Sequence, residues 1–409
     1  MLTLKQISTI PANSVRWDEG KGAVAGFGAR RQKSEGLAYV LKYRTSDGRQ
    51  RWHTIGRHGA PWTPEMARAE ARRILGEVAK GSDPAAQKQE YRKAATVAEL
   101  CDRYLEDAKA GRLFTRRGAA KKPSTLAGDV GRIERHIKPL IGKRKASAVT
   151  RMDIEIFRDC VAEGVTAARI KTGKHGLARV TGGRGTATRV MGLLGAIFAF
   201  AVKHGLRADN PVHGVERHAY AQRERRFSDA EYRALGAALE AMPATTWPIA
   251  LAGMRFLALT GWRRGEMLDL RWRDIDLANR TVTLLDTKTG RSIRPLSHAA
   301  CSVIKDLPRL GSLVFPASSG DDKRMAGFHK IWLRVAAKSK LPSDLTPHAL
   351  RHSFASVAAD VGYSELTIAA LIGHKKGSVT SRYAHHADAI LLVAADKVAQ
   401  RIVALLDGV

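Results

Sequence analysis

The chain has 409 residues, 44% of them hydrophobic, which is too long for one ordinary core and enough to bury several. Its formal net charge of +30 argues against a passive neutral surface and points to a polyanionic partner, nucleic acid first, because self-repulsion on this scale needs neutralising. The excess is spread along the chain, with 18 basic and 9 acidic residues over 1–95, 24 and 12 over 96–218, and 27 and 18 over 219–409, so each part can meet the polyanion. Cys101, Cys160 and Cys301 stand far apart with no C-x-x-C, giving no sign of a disulfide framework or a cysteine zinc site and fitting a reducing cytosol. The start "MLTLKQISTIPANS" lacks a continuous apolar stretch, and the run "PIALAGMRFLALTG" is interrupted by Arg255, so neither an export signal nor a membrane span is expected.

Residues 38–56, "AYVLKYRTSDGRQRWHTIG", alternate with period two, placing Tyr39, Leu41 and Tyr43 on one face, and "DG" supplies a hairpin turn. Thr63 and Pro64 open a helix to about Val78, and "AKGSDPAAQKQEYRKAA" reads as a polar linker that ends the first domain near residue 93. From Thr96 the period becomes helical. Thr96 with Glu99 makes a capping box ahead of a stripe of Val97, Leu100, Cys101, Tyr104 and Leu105. Thr150 and Asp153 mark another helix start, and Val190, Leu193, Leu194, Ile197, Phe198 and Ala201 recur at helical spacing before a stop at Gly205. The basic, Gly-rich "KTGKHGLARVTGGRGTA" between them shows no strong pattern and reads as a loop that could order on DNA. No G-x-x-x-x-G-K-[ST] occurs, which argues against an NTPase. The charged "ERHAYAQRERRFS" reads as a tether, after which Ser228 and Glu231 cap the first helix of a third domain.

Five stretches of this last domain carry chemistry-bearing residues: "TGWRRGE" with Arg263 and Glu266, "LLDTKTGRSIRPL" with Lys288, "TPHALRH" with His348 and Arg351, "LIGH" with His374, and "SRYAHH" with Tyr383. In "LTPHALRHSFAS", Thr346 as N-cap and Pro347 as first helical residue start a helix at the motif. Its free amides and positive dipole end favour an anion, and His348 and Arg351 are spaced to meet one ligand there. Leu350, Phe354, Val357 and Val361 form the core stripe on a different face, leaving His348, Arg351 and His352 to point elsewhere. Zinc between His348 and His352 is disfavoured, since the Glu of H-E-x-x-H is missing and Arg351 would repel a dication. His352 is expected to brace the helix rather than act.

In this order and spacing the five stretches resemble the catalytic domain of tyrosine recombinases, the phage integrase family, and every position of that catalytic pattern is filled. More loosely, the N-terminal sheet and helix resemble the arm-site DNA-binding domain of prophage and genomic-island integrases, and residues 96–218 the helical core-site-binding domain. The resemblance implies a multidomain fold: a small α+β arm-type domain over 1–93, an all-α core-binding domain over 94–218, and a mainly α catalytic domain with a small antiparallel β-sheet over 219–409. It implies site-specific cleavage and rejoining of DNA through a 3′-phosphotyrosyl intermediate, integrating or excising a mobile element, with no cofactor and no metal. Arg263 and Arg351 would grip the scissile phosphate, Tyr383 would attack it, Lys288 would protonate the departing 5′ hydroxyl, His348 and His374 would assist, and Glu266 would orient the arginines. Implied partners are double-stranded DNA at attachment sites, a homotetramer in the synaptic complex with the helix after Tyr383 either exchanged between neighbours or folded back on its own chain, and DNA-bending or excision accessory proteins. The expected location is cytoplasmic, on the nucleoid. A type IB topoisomerase shares the fold and most of the site, though the extra N-terminal domain disfavours it. A catalytically silent DNA-binding regulator would lack a Tyr or Arg, and none is missing.

Overall fold

Helix α1 (Leu4–Ser8) leads into an antiparallel sheet whose strands follow chain order: β1 (Val15–Trp17), β2 (Phe27–Arg31), β3 (Leu37–Arg44) and β4 (Gln50–Arg57). The computed structural model describes residues 1–408 apart from 34–35, 60, 116–117, 174–175, 220–224, 288–289, 321 and 375–388. Tyr39, Leu41 and Tyr43 are buried together, as period two requires, and face Ala67, Ala71 and Ile74 of α2 (Pro64–Ala79). Thr63 caps α2, accepting from the Met66 amide at 3.2 Å. A buried carboxylate locks sheet to helix. Asp18 accepts from the Leu2 amide (2.6 Å), the Val24 amide (3.0 Å) and both Nε and a terminal nitrogen of Arg68 (2.9 and 3.0 Å). Burial pushes the Asp18 pKa up, but the Arg68 fork and the two amides outweigh it and hold the carboxyl at about 2.

The stretch expected as a polar linker is instead helical, α3 (Pro84–Lys93). Its cap is the reason: Asp83 accepts from the Ala86 amide (3.1 Å), from the Tyr43 hydroxyl (2.6 Å) and from Arg51 (3.1 Å), which ties the helix start to the sheet. A second hydrophobic cluster begins at α4 (Val97–Lys109), opened by the Thr96–Glu99 capping box. It continues through α5 (Pro123–Arg132), a π-helical turn (Ile133–Ile137), α6 (Lys138–Ile141), α7 (Arg151–Glu163) with its Thr150–Asp153 box, and α8 (Arg184–Lys203). Among the described residues α8 is the helix long and apolar enough to span a membrane by composition. Its apolar residues Val190, Leu194, Ile197, Phe198 and Ala201 are buried in this cluster. The segment expected as a loop before α8 contains a hairpin, β5 (Ala168–Lys171) paired with β6 (Leu177–Val180). Ile170–Ala178 and Lys171–Leu177 pair across it, so the missed signal was a short alternation hidden among glycines.

The chain divides into two units, Met1–Ala221 and Gln222–Val409; the tether straddles the division and residues 220–224 lie outside the described ones. The second unit opens with α9 (Asp229–Glu240), capped by Ser228 and Glu231, and α10 (Pro248–Thr260). After α11 (Arg264–Leu268) comes a small antiparallel sheet, β7 (Ile275–Asp276), β8 (Thr281–Thr287) and β9 (Gly290–Pro295). Helices α12 (His298–Lys305), α13 (Phe328–Lys338), α14 (Pro347–Asp360), α15 (Glu365–Ile372) and α16 (Ala389–Asp407) complete the unit. Within this single chain α16 packs on the helices of its own unit. Ala394, Val398, Ala399 and Ile402 lie in the same core as Leu257, Leu350 and Phe354, and Asp396 accepts from Arg280 (2.7 Å) and from the His298 amide (2.7 Å). Ile390 and Val393 near the start of α16 remain exposed.

Candidate active site

The site is assembled at the ends of helices, where backbone geometry fixes side chains tightly. Gly261 ends α10 in the left-handed region (φ +61°), and an added Cβ would lie 2.7 Å from the Phe354 ring, so the turn and α14 meet through a residue without a side chain. The chain then runs through buried Trp262 to Arg263, the residue preceding α11. Arg263 donates to Glu266 twice, from a terminal guanidinium nitrogen (2.7 Å) and from its backbone amide (3.1 Å). On α14, Arg351 donates to the Gly261 carbonyl at 2.9 Å, binding the second arginine to the same turn.

Arg351 is 3% exposed, and one of its terminal nitrogens is buried without a hydrogen-bond partner among the described residues. Its surroundings are cationic. Burial presses its pKa down, and Arg263 and Arg294 press it further against the opposing pull of Glu266, to about 9, which leaves it charged at neutral pH. A buried guanidinium with an unmet donor among like charges is an anion seat: a phosphate oxygen would supply both the acceptor and the charge. This corrects the expectation that Arg351 points away from the core; it lies within it, beside Leu350 and Phe354, and only its fork is left to serve a ligand.

His348 and His352 lie exposed on α14 with rings edge to face, centroids 4.9 Å apart. His352 therefore does not brace the core. His374 follows Gly373, the left-handed C-cap of α15, and its amide donates to the Ala369 carbonyl at 2.8 Å. Partial burial, then Arg351, Arg263, Arg294 and His352, press the His374 pKa below the ordinary imidazole range, so the ring is neutral at pH 7. Those influences place His374 with both arginines. Thr346 precedes α14 in an extended conformation with Pro347 at the first turn, as expected, yet its side chain makes no capping bond. That leaves the helix start uncapped by side chains.

Arg294 is the residue that sequence reasoning missed. It sits on β9, 0% exposed, with both terminal nitrogens on the Glu266 carboxylate (2.8 and 3.1 Å) and its guanidinium over the Trp262 ring at 5.2 Å. Burial raises the Glu266 pKa, but Arg294 first and Arg263 second outweigh it and keep the carboxyl below its usual range. The signal was available, because Arg294 falls between Ser292 and Leu296 in the inward register of a strand. Of the predicted residues the structure thus gathers Arg263, Glu266, Arg351 and His374, with His348 on the adjoining helix turn. Lys288 and Tyr383 lie outside the described residues; β8 ends at Thr287 and β9 begins at Gly290, while Tyr383 falls between α15 and α16. Among the described residues no group of three His, Cys, Asp or Glu side chains could hold a metal ion.

The fold that holds this arginine cluster is lambda integrase-like. The chain is similar to a lambda integrase dimer bound to a COC′ core site, with a TM-score of 0.58 at 18% identity over 89% of this chain and 96% of that one. It is likewise similar to a lambda integrase tetramer bound to a Holliday junction (0.58, 18%, covering 88% and 98%) and to the Tn1549 transposon integrase in complex with circular intermediate DNA (0.52, 18%, covering 74% and 99%). Residues 225–389 match the phage integrase family, and residues 2–91 match the arm DNA-binding domain family. Relatives include the shufflon-specific DNA recombinase of Escherichia coli, 31% identical over 252 residues. Another is the tyrosine recombinase XerD of Listeria monocytogenes serotype 4b (strain F2365), 30% identical over 155 residues. Those matches cover 60% and 34% of this chain, and the chain spans 60% and 52% of the length of the two relatives.

Proposed function

We propose that the protein is a site-specific DNA recombinase that cleaves and rejoins strands through a 3′-phosphotyrosyl intermediate, integrating or excising a mobile element. The observation that carries this is the buried, partly unmet Arg351 guanidinium beside Arg263, with one carboxylate shared between Arg263 and Arg294. Attack on a phosphodiester builds negative charge on the non-bridging oxygens, and fixed, always ionised forks neutralise it. In this reading the cationic site favours the Tyr383 phenolate, its proton released to solvent; the phenolate oxygen bonds to phosphorus, the bond from phosphorus to the 5′ oxygen breaks, and Lys288 gives that oxygen a proton. Neutral His374, and His348 on α14, hydrogen-bond the phosphoryl oxygens. The phosphotyrosyl ester retains the energy of the broken linkage, so attack by a 5′ hydroxyl reseals without ATP.

The same reading assigns 1–93 to arm-type sites, 94–218 to core sites and 219–409 to catalysis. It supplies the partners: double-stranded DNA at attachment sites, a homotetramer in the synapse, and DNA-bending or excision accessory proteins, acting on the nucleoid in the cytoplasm. The test is covalent capture. Wild-type protein incubated with randomised, nicked suicide duplexes should retain a selected sequence in a complex that survives denaturation, and Tyr383→Phe should bind that sequence yet form no adduct. An undiminished adduct in Tyr383→Phe would remove the assignment.

A further inference from the structure

We propose that Arg294 is a positioning residue for strand cleavage, holding Glu266 so that Arg263 keeps its fork for the phosphate. The inference rests on the recombinase reading above and extends it to a residue outside the five motif stretches' expected roles. Every nitrogen of the Arg294 side chain is engaged: two on Glu266, and Nε on the Ser292 hydroxyl at 3.3 Å. With the side chain 0% exposed, no part of it can reach a substrate, so it is not a further phosphate clamp. It can act only through what it touches.

What it touches is the whole frame of the site. Glu266 receives four donors, two from Arg263 and two from Arg294, and each of its oxygens takes one from each arginine. Arg263 consequently commits one terminal nitrogen to this carboxylate. Without Arg294, the natural geometry of a carboxylate beside a guanidinium is the two-bonded fork, which would turn Arg263 toward Glu266 and away from an incoming phosphate. Arg294 also packs against Trp262, immediately before Arg263, and against Gly373, immediately before His374, where an added Cβ would lie 2.3 Å from its terminal nitrogen. Since Arg294 belongs to β9, one buried side chain joins the β8–β9 hairpin to the Arg263 turn and the His374 turn.

The experiment uses the full chain and the suicide duplex selected by covalent capture, measuring adduct formation at saturating protein in a single turnover alongside DNA affinity. Arg294→Met should slow cleavage by about 100-fold, the scale of losing one preorganised electrostatic group, with affinity within about threefold of wild type. Adding Glu266→Gln to Arg294→Met removes the charge that captures Arg263 and should recover at least about tenfold of that rate. A residue that merely stabilised the fold would not be rescued by a second loss in the same cluster. Cleavage by Arg294→Met within about threefold of wild type overturns the proposal, as does a double variant no faster than the single one. If Arg294→Met does not fold, Arg294→Lys decides. It keeps the charge but cannot hold both oxygens as a fork, and should cleave at least about tenfold more slowly at unchanged affinity; a wild-type rate overturns the proposal. Failure of the recombinase reading shows separately, as absence of any adduct with the wild-type protein.

Discussion

Replacing Gly373 by alanine tests the frame of the site without changing a residue assigned a chemical role. Gly373 has φ +69°, and an alanine there takes a left-handed conformation that costs about 1–2 kcal/mol. The greater penalty is steric, because the new Cβ would stand 2.3–2.4 Å from three atoms of the Arg294 guanidinium. Such a contact is cheap when a side chain is free to swing, but this one is 0% exposed and bound to Glu266, Ser292 and Trp262. Expelling it breaks a buried pair, about 3–5 kcal/mol, so Gly373→Ala should destabilise the second unit by roughly 4–7 kcal/mol. Hydrogen exchange of α14 core amides reads this as the opening free energy of that unit. Gly327→Ala is the control: its φ is −78°, nothing lies within 4 Å of an added Cβ, and its effect should stay within about 0.5 kcal/mol. In an Arg294→Met background the cost of Gly373→Ala should fall to about 1–2 kcal/mol. A loss below about 1 kcal/mol in the otherwise wild-type chain would refute the packing of Arg294 against this turn.

Three further outcomes are expected. Lys288→Ala should lose cleavage and regain it on a duplex whose 5′-bridging oxygen is sulfur, since a thiolate leaves without an acid; no rescue by sulfur would strip Lys288 of that role. Deleting residues 1–93 should leave cleavage of an isolated core site nearly intact while sharply reducing recombination on full attachment sites and lowering the salt dependence of binding; equal recombination by both forms would end the arm-site assignment. Asp18 is held at about 2, below its ordinary 3.8, so it stabilises the N-terminal sheet above about pH 4, by about 2 kcal/mol, and that contribution is lost as pH falls toward 2. Asp18→Asn should therefore weaken protection of α2 amides strongly at pH 7 and little near pH 2, and an equal effect at both would contradict the pairing with Arg68.

What could be read from the sequence was whatever local chemistry decides. The capping boxes at Thr96, Thr150 and Ser228 form as spelled, because each is closed by residues three positions apart. The alternation of Tyr39, Leu41 and Tyr43 and the helical stripe from Val190 to Ala201 needed only a period and one buried side. Helix α3 was missed although "SDP" is a cap followed by proline, since its polar composition outweighed that signal; its stability comes from Tyr43 and Arg51, 40 and 32 residues away. Arg294 was missed for the same reason. Nothing near it in sequence names Glu266, 28 positions back, or Gly373 as its neighbours. His352 was expected to brace the helix, and the α14 surface carries it outward beside His348. The burial of Arg351 was not legible, because an apolar stripe at helical spacing does not show how deep its edge residues sink.

The packing of α16 sets an order on synthesis. Leu257, Leu350 and Phe354 support the turn and helix that carry Arg263 and Arg351, and they share their core with Ala394, Val398 and Ile402. A ribosome translating this chain has made both arginines and Tyr383 before it has made the helix that closes over that core. Until residues 389–407 have emerged, the nascent chain holds both arginines without the helix that completes the core behind them. Premature termination within this helix therefore yields a chain that contains both arginines and lacks part of the core behind them.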